Sequence, residues 1–391
     1  MAAGLIDAAT ASADIDLGAF RTNVETIARH VAPSQLMVVV KADGYGHGMV
    51  ACAREARLAG AEWLGVATPN EALALREAGD VGPLLAWLYG ADEDLTPLVA
   101  ADVDVSAQSL DQVSRLVAAA GTVERRARTH LKIDTGLSRN GAPASAWAEL
   151  CAAAAEAEGV GALTVVGIWS HLAAADEPGH PSVPIQVAAF ELACSQARAA
   201  GLEPELRHLA NSAGALAVPQ ARYDLVRVGI AAYGIDPAPG IADLAGIDLR
   251  PVMTLRAQLV NVKQLAAGSG VSYGWTWVAP EATAVGLVPL GYADGIPRHA
   301  GNRAWVGLRG GQAAIRGRIC MDQFVVELAP PGRAGPEPAA PGEEILVFGP
   351  GDRGEPTAAD WARWSDTIGY EIVTRVGARV TRRYLDAEVQ D

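Results

Sequence analysis

Between Asp14 and Gly234 the chain alternates between short apolar runs and alanine-rich segments, and few folds accommodate that rhythm. The runs are LMVVVK (36–41), WLGVAT (63–68), PLLAWLYG (83–90), VDVSAQS (103–109), THLKIDTG (129–136), LTVVGIWSHLA (163–173), LRHLANS (206–212) and DLVRVGIAAYG (224–234). Segments with helical spacing, such as ASAWAELCAAAAEAEG and IQVAAFELACSQARAAG, separate most of them. Apolar strands that alternate with helices run parallel and are buried on both faces. Eight of them within roughly 200–250 residues predict an α/β fold of the (β/α)8 barrel type. A doubly wound open sheet shares the local pattern, because period alone does not report closure.

The rhythm changes after Gly234. VMTLRAQLVNVKQL, TAVGLVPLGYADG, RAWVGLRGGQAAIRGRICMDQFVVEL and EEILVFGP are strand-like and are joined by turns. They predict a mostly antiparallel β domain. APPGRAGPEPAAPG (329–342) reads as a surface loop within it, and AADWARWSDTIGYEIVTRV as a final helical segment. The expected organisation is a segment 1–13 packing with the β domain, a barrel over 14–243, and the β domain over 244–391.

The net charge of −14 argues against a nucleic-acid or anionic-membrane surface. The four scattered cysteines, without CxxC spacing, predict reduced thiols and no zinc site. The N-terminus lacks a basic and apolar signal pattern, and no apolar run is long enough to span a bilayer. The expected location is the cytoplasm, with no membrane partner.

In a barrel, chemistry sits at the C-terminal ends of the strands. The polar residues that interrupt the apolar background fall there: Lys41, then Lys132, Asp134 and Arg139, then His171, then Asn211 and Ser212, then Arg227. Each has a plain structural reading. Lys41 can cap a strand, Lys132 and Arg139 can lie in a solvated loop, His171 can be a bonded core residue, and Asn211 can cap a helix. Arg227 fits such a reading least, because a buried guanidinium needs partners. GYGHG after Lys41 lets the backbone approach a ligand, but it does not meet the dinucleotide spacing G-x-G-x-x-G. Lys41 is the candidate amine for a carbonyl cofactor.

KADGYGHG, LKIDTGLSRNG, GIWSHLAAADE, HLANSAG, VRVGIAAYG, GVSYGWTW, LGYADG, GRICMDQ and TIGYE occur in this order from about Asp14 to Arg383. Together they resemble the bacterial, pyridoxal-phosphate-dependent alanine racemases. That resemblance implies a barrel, a C-terminal β domain and a head-to-tail homodimer with shared sites. It implies that Lys41 holds pyridoxal 5'-phosphate as a Schiff base and is one catalytic base, with Tyr273 from the partner subunit as the other. Arg227 would face the pyridine nitrogen, supported by His171. Tyr45, Ser212, Gly229, Ile230 and Tyr370 would hold the phosphate, with Asn211 beside it. Arg139 and the Met321 amide would receive the alanine carboxylate, and a carbamylated Lys132 would position Arg139. Asp176, Tyr292, Arg298 and Arg318 match positions at the substrate entrance. Asp43, Trp169, Trp275 and Trp277 depart from the pattern mildly, and the first two touch none of these roles.

The implied activity is interconversion of L- and D-alanine, which supplies D-alanine for peptidoglycan. A racemase removes a proton from one face of the α-carbon and returns one to the other, which two opposed bases accomplish directly. An arginine at the pyridine nitrogen disfavours its protonation, since arginine stays charged. Competing readings are a serine or broad-specificity racemase, an amino-acid decarboxylase on the same scaffold, and a small non-catalytic pyridoxal-phosphate-binding barrel. Arg227 with SYGW and CMDQ opposes the decarboxylase, and the second domain opposes the small barrel.

Overall fold

The computed structural model describes residues 10–328 and 339–386. Most of the expected N-terminal segment and of the Pro/Gly-rich stretch, 1–9 and 329–338, lies outside the described residues. Strand β1 (Ala11–Asp16) leads directly into a helix at Leu17–Val31. Asp16 caps that helix by accepting from the Ala19 amide at 2.8 Å, and Leu17, Phe20, Val24, Ile27 and Val31 form its buried stripe.

Eight parallel strands follow: β2 (Gln35–Val39), β3 (Trp63–Val66), β4 (Leu84–Ala86), β5 (Asp104–Ala107), β6 (Ala127–Lys132), β7 (Leu163–Trp169), β8 (Leu206–His208) and β9 (Leu225–Val228). They are ordered β8-β7-β6-β5-β4-β3-β2-β9. Backbone bonds from Asp224 N to Arg207 O (3.1 Å) and from Arg227 N to Ala210 O (3.0 Å) draw the two ends of that order together. The sheet is therefore a nearly closed barrel, and each strand overlaps one of the eight apolar runs, with β2 starting one residue and β6 two residues ahead of theirs. Met37, Trp63, Leu85, Val166, Leu206 and Leu225 fill one end of its interior. The opposite end, where the strands finish, carries the polar residues.

The second sheet contains β10 (Met253–Gln258), β11 (Asn261–Leu265), β14 (Thr283–Val288), β15 (Trp305–Leu308), β16 (Gly311–Arg316), β17 (Phe324–Glu327), β18 (Glu344–Phe348) and β19 (Thr381–Leu385), together with β1. A small ribbon pairs β12 (Gly270–Val271) with β13 (Trp277–Val278). The pairs are antiparallel except β1–β19, which is parallel. Asp14, Ile15 and Asp16, at the expected start of the barrel, are thus in the β-domain sheet. The expected terminal helix is two helices, Ala358–Trp364 and Gly369–Thr374. The break contains Asp366, whose φ of 54° is not helical.

Asn23 ties the barrel to the chain leaving it. Its amide donates to Ala232 O (3.2 Å) and Arg250 O (2.8 Å), and its carbonyl accepts from Arg250 N (3.0 Å). Gly234 lies in the same crossover with φ of +76°, and a Cβ there would sit 1.7 Å from the Arg250 carbonyl oxygen. Gly234→Ala is expected to lower unfolding stability by about 2–4 kcal/mol, from left-handed strain and backbone overlap together. Urea denaturation followed by circular dichroism measures it, and an unchanged midpoint would refute the junction's tightness.

Candidate active site

The turn after β2 has an unusual hand. Ala42, Asp43, Gly44 and Tyr45 all have φ between 52° and 61°. Bonds from Gly44 N to Val40 O (2.9 Å) and Gly46 N to Ala42 O (3.0 Å) close it. L-residues visit this region singly as a rule, so the surroundings must hold the turn. Glu71 does part of this. It caps the helix Pro69–Glu77 through the Ala67 and Thr68 amides, and its other oxygen accepts from Ala42 N at 2.7 Å. Asp43 accepts from Met49 N at 2.8 Å and so holds the start of the next helix. The turn leaves Lys41 half-buried at the barrel mouth and Tyr45 buried.

The Lys41 amine lies 6.0 Å from the ring centre of Trp87. Burial and the Arg139 charge lower its pKa below the ordinary lysine range, and Glu71 opposes the shift. Lys132 ends β6 and is buried, with its amine 4.1 Å from the ring centre of Trp169. Burial, then Arg227 and Arg139, push its pKa down to about 7. The loop after β6 returns on itself through Asp134 N to Ala142 O (2.9 Å) and Ala142 N to Lys132 O (2.8 Å), and it carries the exposed Arg139. The chain has three lysines, Lys41, Lys132 and Lys263, so two of them meet here.

Arg227 points from within β9 into the barrel and is buried. It donates to Ser170 O (2.8 Å), Leu209 O (3.0 Å), His171 Nδ1 (3.3 Å) and His208 Nδ1 (3.2 Å). Burial lowers its pKa to about 9, which leaves it cationic at neutral pH. His171 is held well below the usual histidine range by burial and by Arg227, Arg139, Lys132 and Lys41, so it accepts from Arg227 as a neutral ring. Trp169 stacks on His208 at 5.6 Å and lies 4.9 Å from the Arg227 guanidinium. This tryptophan, read from sequence as touching no role, sits among the site's cations.

A cradle of small groups lies beside these cations. Ser212 Oγ accepts from Gly229 N at 2.9 Å, and Asn211 caps the helix Ser212–Ala217 by accepting from Gly214 N at 2.9 Å. The Tyr45 hydroxyl occupies the space that a side chain at 229 would need, 2.2 Å from a Cβ built there. Ile230 follows Gly229 and is buried. The Tyr45 and Tyr370 rings are 6.4 Å apart. Burial and the neighbouring Tyr370 keep the Tyr45 phenol protonated; burial and the Asp176 charge do the same for Tyr370. Neutral hydroxyls and an adjacent amide suit a phosphate.

Tyr273, Tyr292, Arg318 and Met321 form a second, exposed group on the β domain. Ser272 Oγ donates to Arg318 O, the Tyr292 amide donates to Cys320 O (3.0 Å), and the Ala293 amide donates to Met321 O (2.9 Å). Arg298 is exposed in the turn after Tyr292, and Asp176 is exposed after β7. Among the described residues, no hydrogen bond, ion pair or ring contact links Tyr273 or Met321 to the Lys41 group.

A lowered lysine amine, a group of cations and a hydroxyl-lined cradle at a barrel mouth are the groups with which an enzyme could hold an anionic carbonyl cofactor. Residues 15–237 match the family description "Alanine racemase, N-terminal domain", and residues 252–384 match "Alanine racemase, C-terminal domain". An alanine racemase of Thermobifida fusca is 51% identical over 377 residues, 96% of this chain and 98% of that one. The alanine racemase of D-cycloserine-producing Streptomyces lavendulae superposes with a TM-score of 0.93 at 48% identity, covering 97% of each chain. That of Streptomyces coelicolor A3(2) gives 0.93 at 49% identity, covering 97% of this chain and 100% of that one. The chain belongs to the alanine racemase family. It is an isomerase that interconverts L- and D-alanine; pyridoxal-phosphate dependence and two-base proton transfer are features of that family. Among the described residues no helix is long and apolar enough to cross a membrane.

The lowered Lys132 amine predicts reactivity at neutral pH. In protein freed of carbon dioxide, acylation of Lys132 is expected to rise through a midpoint of about pH 7, because the free base prevails above its pKa. Exposed Lys263 serves as the internal reference. Peptide mass spectrometry measures both, and a Lys132 midpoint no lower than that of Lys263 would overturn the assignment.

Proposed function

We propose that this chain racemises alanine at sites completed by a second copy of itself. The supporting observation is the separation of the two residue groups. Tyr273 is 69% exposed and Met321 53% exposed on the β domain, and among the described residues no hydrogen bond, ion pair or ring contact joins either to the half-buried Lys41. Trp275 is 69% exposed beside them, so the face is apolar enough to seek cover. A two-fold head-to-tail pairing brings each such face onto the other copy's barrel mouth. The units 14–243 and 244–391 then act as receiver and giver of residues, respectively, and the enzyme works in the cytoplasm, where its alanine is drawn.

Pyridoxal 5'-phosphate fits the cradle and supplies the electron sink that acidifies the α-proton. Lys41 is the residue that would hold its carbonyl. Tyr45, Ser212, Gly229, Ile230 and Tyr370 would hold its phosphate, with Asn211 fixing the helix beside it. Arg227, charged and bonded on several sides, would face the pyridine nitrogen and leave it unprotonated, with His171 as its neutral support. Lys41 Nζ moves a proton at one face of the substrate, and the partner subunit's Tyr273 moves one at the other through its phenolic oxygen. Arg139 and the partner subunit's Met321 amide orient the substrate carboxylate. A carbamate on Lys132 gives Arg139 an anionic partner, and a free-base amine with a pKa of about 7 is the form that captures carbon dioxide. Asp176, Tyr292, Arg298 and Arg318 frame the approach.

Two inactive variants test the shared site. Lys41→Ala is expected to lose the visible band of the bound cofactor. Tyr273→Phe is expected to keep the band and lose about 10²–10⁴ in racemisation, the usual contribution of a positioned base. Mixed together, the variants should recover up to about one quarter of wild-type activity, the share of intact sites after statistical exchange in a two-fold dimer. D-alanine formed from L-alanine is the readout. No recovery after demonstrated subunit exchange would place both bases in one chain.

A further inference from the structure

Three side chains that the chemistry above leaves unused stand in a row behind Arg227. His208 on β8 faces Arg227 through Nδ1 (3.2 Å) and His130 Nδ1 through Nε2 (2.9 Å). His130, on β6, turns its own Nε2 to Asp104 Oδ2 at 3.0 Å. Asp104 opens β5 and is gripped from outside by Arg128, at 2.6 Å on Oδ1 and 3.2 Å on Oδ2. Asp104, His130 and His208 are all buried.

The direction of this line is fixed at its two ends. A guanidinium only donates, so His208 Nδ1 must accept. A neutral ring with a bare Nδ1 carries its proton on Nε2 and donates it to His130 Nδ1. His130 is then bare at Nδ1 as well, and its Nε2–H donates to the carboxylate, which only accepts. Every link has one donor and one acceptor, and no other arrangement of neutral rings satisfies all of them. Were His130 to take the other tautomer, it would point a proton at His208, and His208 would answer with a proton aimed at Arg227.

The barrel is shaped to permit the row. His130 and His208 lie on strands separated by β7, so a side chain on β7 would part them. The residue facing His130 there is Gly167, and a Cβ on it would come 2.5 Å from His130 Nδ1. The pairing of β6 with β7 slips by one residue just there: Thr129 faces Val165 but His130 faces Gly167. Without that slip Val166 would face His130. Trp169 covers the flat of His208, and Trp63 meets His130 edge-on at 5.3 Å. The row is buried except where Arg128 meets solvent.

We propose that Asp104 is a remote positioning residue for Arg227, acting by fixing the tautomers of His130 and His208. This rests on the reading of Arg227 as the cofactor's partner. The carboxylate never touches the reacting atoms. It determines that the guanidinium meets a lone pair and not a proton, which keeps Arg227 in place and cationic.

Nitrogen NMR on histidine-labelled protein, with and without pyridoxal phosphate, tests it. In the wild type, His130 and His208 are expected as neutral Nε2–H rings; a protonated Nδ1 on His208 would overturn the proposal without any variant. Asp104→Leu should disturb the His208 signals, weaken cofactor binding about tenfold and lower kcat about tenfold with the alanine KM unchanged, the effect of one misdirected hydrogen bond. Asp104→Asn, which keeps an accepting oxygen, should restore the tautomers and most of the activity. Gly167→Ala should reproduce the Asp104→Leu spectrum by parting the two rings. Unchanged His208 signals in folded Asp104→Leu refute the relay. Changed signals with unchanged cofactor affinity and kcat refute its role, unless Arg227→Lys is equally silent, in which case the reading of Arg227 itself fails.

Discussion

Arg227 imposes the central constraint. A guanidinium buried in a barrel must find an acceptor for each of its donors or lose its charge. It finds carbonyl oxygens at the ends of two strands and a lone pair on each of two histidines. Those needs explain why β7 and β8 end where they do and why the histidines are neutral. The neighbouring groups feel burial first and the same cation second: both lower the Lys132 amine, and His171 is lowered by them together with Arg139, Lys132 and Lys41. One fixed positive charge thereby reinforces what burial does to the groups around it.

Much of this was legible in the sequence, because the relevant signals are local. All eight barrel strands overlap the apolar runs, and Lys41, Lys132, Asn211 and Ser212 lie at or just beyond strand ends, where a barrel exposes chemistry. The Asn211 cap is equally local. What was not legible depends on closure. His130 and His208 are far apart in sequence and meet only because Gly167 and a slipped register let them. Trp169 looked neutral because its role lies in what surrounds its ring. Asp14 was assigned to the barrel because its pairing with Arg383, almost at the other end of the chain, has no local trace. A usable signal was overlooked: in a chain rich in arginine, lysine is rare, and two of the three are here.

The β domain plays a different part. Its strands bury one face in the usual alternation, as the pattern of Met253–Gln258 shows. Yet the turns around Tyr273 and Tyr292 leave aromatic residues in solvent. Within one copy that exposure is a cost without a return. It becomes intelligible if the barrel mouth of another copy is what the face was shaped against.

The left-handed turn after β2 restricts how this chain can drift. Five consecutive residues, Ala42 to Gly46, hold positive φ, and only two of them are glycine. A β-branched side chain at Ala42, Asp43 or Tyr45 would clash with its own backbone there. The permitted alphabet is therefore narrow for reasons of handedness, even where a side chain touches neither cofactor nor substrate. Ala42 and Asp43 are exposed, and surface positions ordinarily vary freely. Here backbone geometry, with the Asp43 bond to Met49 N, makes them behave under substitution like residues of the core.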